Sequence, residues 1–218
     1  MNVTVVDHPL AAQRLALLRD QDTPQARFRQ AMDELSTMLF YEATRNLQTE
    51  PYEVITPLEP TVGRRVSTAS VPIVVPILRA GLGMLDAAAR LLPEAPVGFL
   101  GMARDEDSYK PDPYMNTIPR HLNGRSALVL DPMLATGGSL VYACNTLMEH
   151  GVGHMTIVCV LASPEGIKRI DELALDIDIV TASVDSHLNE RAYIVPGLGD
   201  AGDRQFGTNS APHHDDHH

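Results

Sequence analysis

The chain has 218 residues, 44% of them hydrophobic and 5% aromatic, and a formal charge of −11, which suits a single soluble α/β domain with a sizeable core. That charge disfavours broad binding to a nucleic-acid backbone, which draws on clustered Lys and Arg. Lysine occurs only at Lys110 and Lys168 and no Gly-Lys pair exists, so a Walker-type phosphate loop is excluded.

The N-terminal "MNVTVVDHPL" lacks the basic and apolar regions of a secretory signal. Cys144 and Cys159 form no CxxC pair, and both read as small core residues of a reducing compartment. The expected location is cytoplasmic. Thr23-Pro24 reads as a helix N-cap and first turn, followed by Phe28, Ala31, Met32, Leu35, Met38, Leu39 and Ala43 at helical spacing to about Leu47. Residues 51–70, rich in Pro, Thr and β-branched types, predict one or two short strands outside the central core. The apolar run 71–78, broken by Pro72 and Pro76, is far too short to span a bilayer.

From Val71 the pattern is regular: strand 71–78, helix 81–92, strands 97–102 and 126–131, helix 138–149, strand 156–161, helix 164–174, strand 178–182. Continuous Val/Ile/Leu strands separated by helices predict a mostly parallel sheet covered on both faces. Ligands of such sheets bind at the C-terminal strand edge. Arg79, Arg104, Asp131 and Ser163 all fall at or just past predicted strand ends, and therefore on that edge. The stretch 104–119 carries Pro111, Pro113 and Pro119 without periodicity; it fits a functional lid, and equally a surface hairpin. The tail "NSAPHHDDHH" is polar and unpatterned, so 209–218 is expected to be a disordered appendage to one domain over 1–208.

"ALVLDPMLATGGS" at 127–139 ends a buried strand in Asp131, crosses Gly137 and Gly138, and starts a helix. Thr136, Gly137, Gly138 and Ser139 offer closely spaced N–H groups and two hydroxyls at a helix N-terminus, which suits a monophosphate. Taken alone, the loop fits a strain-relieving turn as well. Asp131 is an acceptor suited to sugar hydroxyls or a magnesium ion.

This stretch resembles the phosphoribosyl-diphosphate (PRPP) motif of type I phosphoribosyltransferases. Most of that superfamily has two adjacent acids at the strand end; Pro132 in the second place is similar to the uracil phosphoribosyltransferase branch. "YEATRNL" (41–47), "VPILRAGLGM" (75–84), "GMARDE" (101–106) and "YIVPGLGDAGDRQFGT" (193–208) resemble the same branch, so the likeness covers about 8–208. Ala103 departs from it, because an aromatic residue usually precedes the family's loop arginine. The resemblance implies an α/β type I phosphoribosyltransferase fold, with a mostly parallel central sheet flanked by helices, a small β-rich hood and a flexible active-site loop. It also implies a strained peptide, of a kind that can be cis, near Arg79-Ala80.

The implied reaction joins uracil to PRPP, giving UMP and diphosphate. Arg79 and Arg104 would clamp the diphosphate, with Gly81 and Gly83 allowing close backbone approach. Asp131 would orient the ribose, Thr136, Gly137, Gly138 and Ser139 would hold the 5′-phosphate, and Pro132, Met133, Leu134 and Ala135 would belong to the same PRPP site. Main-chain groups of Ile194, Gly199 and Ala201 would read uracil, and Asp200 would meet PRPP through magnesium and water while standing as the one candidate to take the N1 proton. Magnesium is the implied cofactor. A homo-oligomer is implied, with the Phe40/Tyr41 end of the first helix as a contact, and GTP activates some members. The histidines at 150, 154 and in the tail read as surface residues rather than metal ligands, because Gly151 and Gly153 break the helix between the first two.

Two other readings stay open on sequence alone. One is a regulator on the same fold that binds RNA and senses uridine nucleotides, against which the charge argues. The other is a purine transferase, which would not need "YIVPGLGDAGD".

Overall fold

The computed structural model describes residues 1–104 and 111–207. The tip of the expected active-site loop (105–110) and the histidine-rich tail lie outside the described residues. In chain order the elements are β1 (Asn2–Val5), α1 (Pro9–Arg19), α2 (Gln25–Ala43), β2 (Thr49–Ile55), β3 (Pro60–Val66), β4 (Ile73–Leu78), α3 (Leu82–Leu91), β5 (Leu100–Arg104), β6 (Pro111–Asn116), β7 (Ala127–Leu130), β8 (Met133–Leu134), α4 (Gly138–Glu149), β9 (Met155–Ala162), α5 (Pro164–Asp171), β10 (Ile177–Val184), β11 (His187–Leu188), β12 (Ile194–Val195) and α6 (Ala201–Phe206).

Among the described residues the main sheet runs β1-β10-β9-β7-β4-β5-β6, with β8 added to β9. All its pairs are parallel except β5 with β6. Alternate residues of each central strand feed two separate cores. Val158 and Val160 of β9, with Leu128 and Leu130 of β7, join the cluster under α1, α2 and α3. Ile157 and Cys159, with Ala127 and Val129, join the one under α4 and α5. A sheet covered on both faces needs apolar side chains at every position, which explains the unbroken Val/Ile/Leu runs. Both cysteines are buried there, and burial pushes each thiol up to about 12. Among the described residues no helix is long and apolar enough to cross a membrane.

Several boundaries differ from the periodicity. α2 starts one residue later than expected, with Pro24 at the cap. It stops at Ala43, four residues before Leu47, with Thr44 at the cap, whose hydroxyl and backbone N–H both donate to the Phe40 carbonyl, at 2.7 and 3.0 Å. Phe40 is 1% exposed, so it belongs to the core and not to a contact surface; Tyr41 beside it is exposed. The stretch read as aperiodic contains β6 in spite of Pro111 and Pro113. A sheet tolerates proline in an edge strand, where one row of N–H groups needs no partner, and β6 is the edge. Two small pairs, β2 with β3 and β11 with β12, form sheets of their own and supply the β-rich part.

Candidate active site

The C-terminal edge of the sheet gathers the predicted residues. β4 ends at Leu78 and the Leu78-Arg79 peptide is cis, one bond earlier than expected. Arg79 is exposed and its side chain makes no hydrogen bond or ion pair among the described residues, leaving its guanidinium available to an anion. The room at Gly81 and Gly83 is used by the protein itself. A Cβ at Gly81 would lie 2.4 Å from the Leu130 carbonyl oxygen, and one at Gly83 would lie 1.4 Å from Gln205 Oε1. Arg104 is the last residue of β5 at the same edge; its side chain is outside what the structure describes.

Past β7, the chain after Asp131 is stitched to β9 and α5. Val160 and Leu161 N–H donate to the Pro132 carbonyl at 2.9 and 3.0 Å, and Ser163 N–H donates to that of Leu134 at 2.9 Å. The Ser163 hydroxyl donates to the Ala135 carbonyl at 2.7 Å while accepting from Gly166 N–H. Ser163 thus caps α5 and holds the loop from behind. Gly137 turns with φ +74°, as glycine permits, and α4 begins at the next residue. The result is a recess of about 70 Å³ lined by Asp131, Met133, Ala135, Thr136, Gly137, Gly138 and Ser139. Pro132 and Leu134 are buried beneath it and do not line it, and the Pro132 carbonyl serves the β8 stitch.

Gly166 gives this arrangement a sharp test. A Cβ there would come within 2.4 Å of the Ala135 carbonyl oxygen. Gly166→Ala is therefore expected to push the loop outward, costing about 1–3 kcal/mol of stability and weakening the hold of the recess on a phosphate group. Thermal melts and a titration with inorganic phosphate check it; a variant with unchanged phosphate affinity would separate the loop's position from α5.

Facing the recess is the C-terminal segment. Ile194, Gly199, Asp200 and Ala201 share a cleft of about 330 Å³ with Ala80, Asp131, Met133, Ala135 and Ser139. Arg191, Ala192 and Tyr193 line it too. Gly197 and Gly199 have φ +65° and +81°, and Val195-Pro196 is cis. Asp200 caps α6, its Oδ1 accepting from Asp203 N–H at 2.8 Å. Burial pushes the Asp131 carboxyl up to about 7; the Asp200 charge adds to the rise, and the Met133 N–H, 3.3 Å from Oδ1, opposes it. Away from this cleft, His150 meets the Pro119 carbonyl and His154 lies beside Asp176 and Asp178.

The family model described as uracil phosphoribosyltransferase matches residues 5–208. The chain belongs to that family. The uracil phosphoribosyltransferase of Nocardioides sp. is 52% identical over 211 residues, covering 95% of this chain and 99% of the relative. That of Streptomyces griseus is 55% identical over 210 residues, with the same coverages. Among solved structures, a protein of Aquifex aeolicus aligns with TM-score 0.89 and 37% identity over 96% of this chain and all of its own. The adenine phosphoribosyltransferase of Trypanosoma brucei, solved with AMP, pyrophosphate and ribose-5-phosphate, aligns with TM-score 0.55 at 13% identity, covering 91% of this chain and 87% of its own. That likeness extends the fold to the type I phosphoribosyltransferases.

In this uracil phosphoribosyltransferase family member, sequence reasoning missed the supports of the C-terminal segment that lines the cleft. Arg19 forks onto Asp185 with Nη1–Oδ2 2.7 Å and Nη2–Oδ1 2.6 Å. The pair grips Gly197 on both sides: Arg19 donates to its carbonyl at 2.8 Å and Asp185 accepts its N–H at 2.9 Å. Arg204 donates to the Leu18, Leu198 and Asp20 carbonyls and stands 4.3 Å over the Phe28 ring. Arg19 stands 166 positions from Asp185 and Arg204 stands 186 from Leu18, so nothing local in the sequence pairs them.

Proposed function

We propose that the chain transfers the phosphoribosyl group of PRPP to N1 of uracil, releasing diphosphate and forming UMP in pyrimidine salvage. The observation that carries this reading is the cleft in which Asp131, Ala135 and Ser139, which also line the recess of the 135–139 loop, face Ile194, Gly199, Asp200 and Ala201. Bond making is from uracil N1 to C1′, and bond breaking is from C1′ to the diphosphate oxygen. Arg79, with Arg104 joining it, balances charge on the leaving group, and Asp131 holds the ribose. Ala135, Thr136, Gly137, Gly138 and Ser139, with Met133, seat the 5′-phosphate; Pro132 and Leu134 serve it from beneath. Catalysis is chiefly positioning and charge stabilisation. Ile194, Gly199 and Ala201 present main-chain donors and acceptors to the uracil edge, and Asp200 is the candidate to accept the N1 proton.

Magnesium fits the residues present. Asp131 and Asp200 face one cleft, and one or two carboxylates beside substrate phosphates suffice for this ion. When bound, it would neutralise charge on the diphosphate. A homo-oligomer belongs to the same reading, supported by the β2–β3 pair, where Ile55, Leu58 and Val62 are 72%, 95% and 72% exposed, more apolar surface than a lone hairpin leaves to water. Activation by GTP and a cytoplasmic location enter by resemblance to the family.

The test offers PRPP and magnesium with uracil, cytosine, hypoxanthine or orotate to the intact chain and to Asp200→Asn. UMP should form from uracil, with cytosine roughly 10⁴-fold poorer because its amino group would set donor against donor. Asparagine retains the α6 cap, so Asp200→Asn should fold normally and lose on the order of 10² in kcat/KM. Turnover of a purine instead would overturn the pocket assignment.

A further inference from the structure

Gln205 is fully buried in α6, and its side-chain amide reaches two places that the reaction must hold in register. Nε2 donates to the Ala80 carbonyl at 3.2 Å and to the Ala201 carbonyl at 2.9 Å. Ala80 follows Arg79 in the diphosphate loop, and Ala201 ends the uracil-reading segment; both line the cleft. Two carbonyl acceptors dictate that the NH₂ end points to them. Oε1 is thereby directed at Gly83, without a hydrogen-bond partner among the described residues.

The fit at Gly83 is specific. A Cβ there would overlap Gln205 Oε1 at 1.4 Å and stand 2.6 Å from Cδ, so glycine at 83 is the condition for glutamine at 205. The far side of Gln205 is anchored as well: its backbone carbonyl accepts from Gln25 Nε2 at 2.9 Å and from Arg29 Nη1 at 3.3 Å. Ala80's carbonyl also accepts Gly83 N–H at 3.2 Å. One anchored amide therefore bonds to the main chain of both half-sites, which come from parts of the chain 121 positions apart.

We infer that Gln205 is a positioning residue that sets the spacing between the diphosphate loop 79–81 and the base-reading segment 199–201, with Gly83 as its socket. It touches no substrate. The inference rests on the proposed uracil reaction, because the distance it fixes is the one between C1′ and N1. Small errors in that distance are costly, while each half-site alone keeps its contacts.

The test is steady-state kinetics together with calorimetric titration of PRPP for the wild type and Gln205→Met, which matches the length of glutamine and removes the donor. Gln205→Met should lose about tenfold or more in kcat while PRPP affinity stays within about twofold. A purely structural role would lower the melting temperature and leave kcat and both KM values of the folded fraction unchanged, which would overturn the inference. The socket is tested by a cycle: Gly83→Ala should be strongly impaired, and Gln205→Ala should relieve it, so that the double variant resembles Gln205→Ala alone. Simple addition of the two losses would also overturn it. Wild type that turns over PRPP with no pyrimidine base sinks the reaction and this spacer together; wild type active on uracil beside an unimpaired Gln205→Met sinks the spacer only.

Discussion

Asp131→Asn is expected to make the protein more stable at pH 8 and nearly inactive. Folding takes the Asp131 carboxyl largely out of water and pushes it up to about 7 from its ordinary 3.8. Between those values the unfolded chain is ionised and the folded chain is not, so stability falls as pH rises, and above about 7 the penalty is constant. Three pH units correspond to at most about 4 kcal/mol. Because the group opens partly onto the cleft, about 1–2 kcal/mol is the reasonable share after solvent screening. Asparagine keeps an oxygen for the Met133 N–H and carries no charge. Its stabilisation should therefore be absent near pH 4, grow through pH 4–7 and level off above. Urea unfolding at pH 4, 6 and 8 reads this directly, and equal stabilities at pH 8 would refute it. On the proposed role of Asp131 as the acceptor for the ribose, the same substitution should lower kcat/KM for PRPP by about 10²-fold or more. In the wild type, kcat/KM for PRPP should decline below about pH 7, where the empty cleft protonates Asp131. A gain in stability bought with activity is what a carboxylate retained for its chemistry predicts.

The central sheet was legible because burial on two faces leaves a plain mark: β4 and β7 are unbroken apolar runs, and α4 spans the residues its periodicity predicts, 138–149. The turn between β7 and α4 was legible because its glycines, hydroxyls and strand-end aspartate are adjacent in the chain, and the structure gathers them around one recess. β1 and α1 left little local signal; α1 buries Ala11, Leu15 and Leu18 but exposes Leu10, which blurs the apolar stripe. α6 was hidden by glycines on both sides of its Asp200 cap, and it is held by Gln205 to Ala80 and by Arg204 to Leu18. Contacts of that range are made by the fold and cannot be deduced from a neighbourhood of ten residues. The purpose of Gly81 and Gly83 was mistaken for the same reason: the atoms that need the space belong to Leu130 and Gln205.

Asp185→Ala should produce the largest loss of stability, and should weaken uracil capture more than PRPP binding. Asp185 is 6% exposed and accepts from Arg19 twice, from the Ser183 hydroxyl at 2.9 Å and from Gly197 N–H. Burial alone would raise its pKa, but these donors outweigh it and hold the carboxyl below the usual range. Its contribution is therefore present at neutral pH and is lost as pH falls through the depressed folded value. Alanine would leave the Arg19 guanidinium and Gly197 N–H without their acceptor, at a cost of about 3–5 kcal/mol. Such a deletion cannot distinguish the worth of the pair from the damage of half a pair. Replacing both partners, Arg19→Met with Asp185→Leu, should recover much of the stability, yet Gly197 would still lack its two ties. The double variant should then melt near the wild type and show a raised KM for uracil with PRPP affinity preserved. Recovery of both stability and uracil KM would mean that the turn at 195–199 holds its shape without the ion pair, and that Arg19 and Asp185 serve the fold alone.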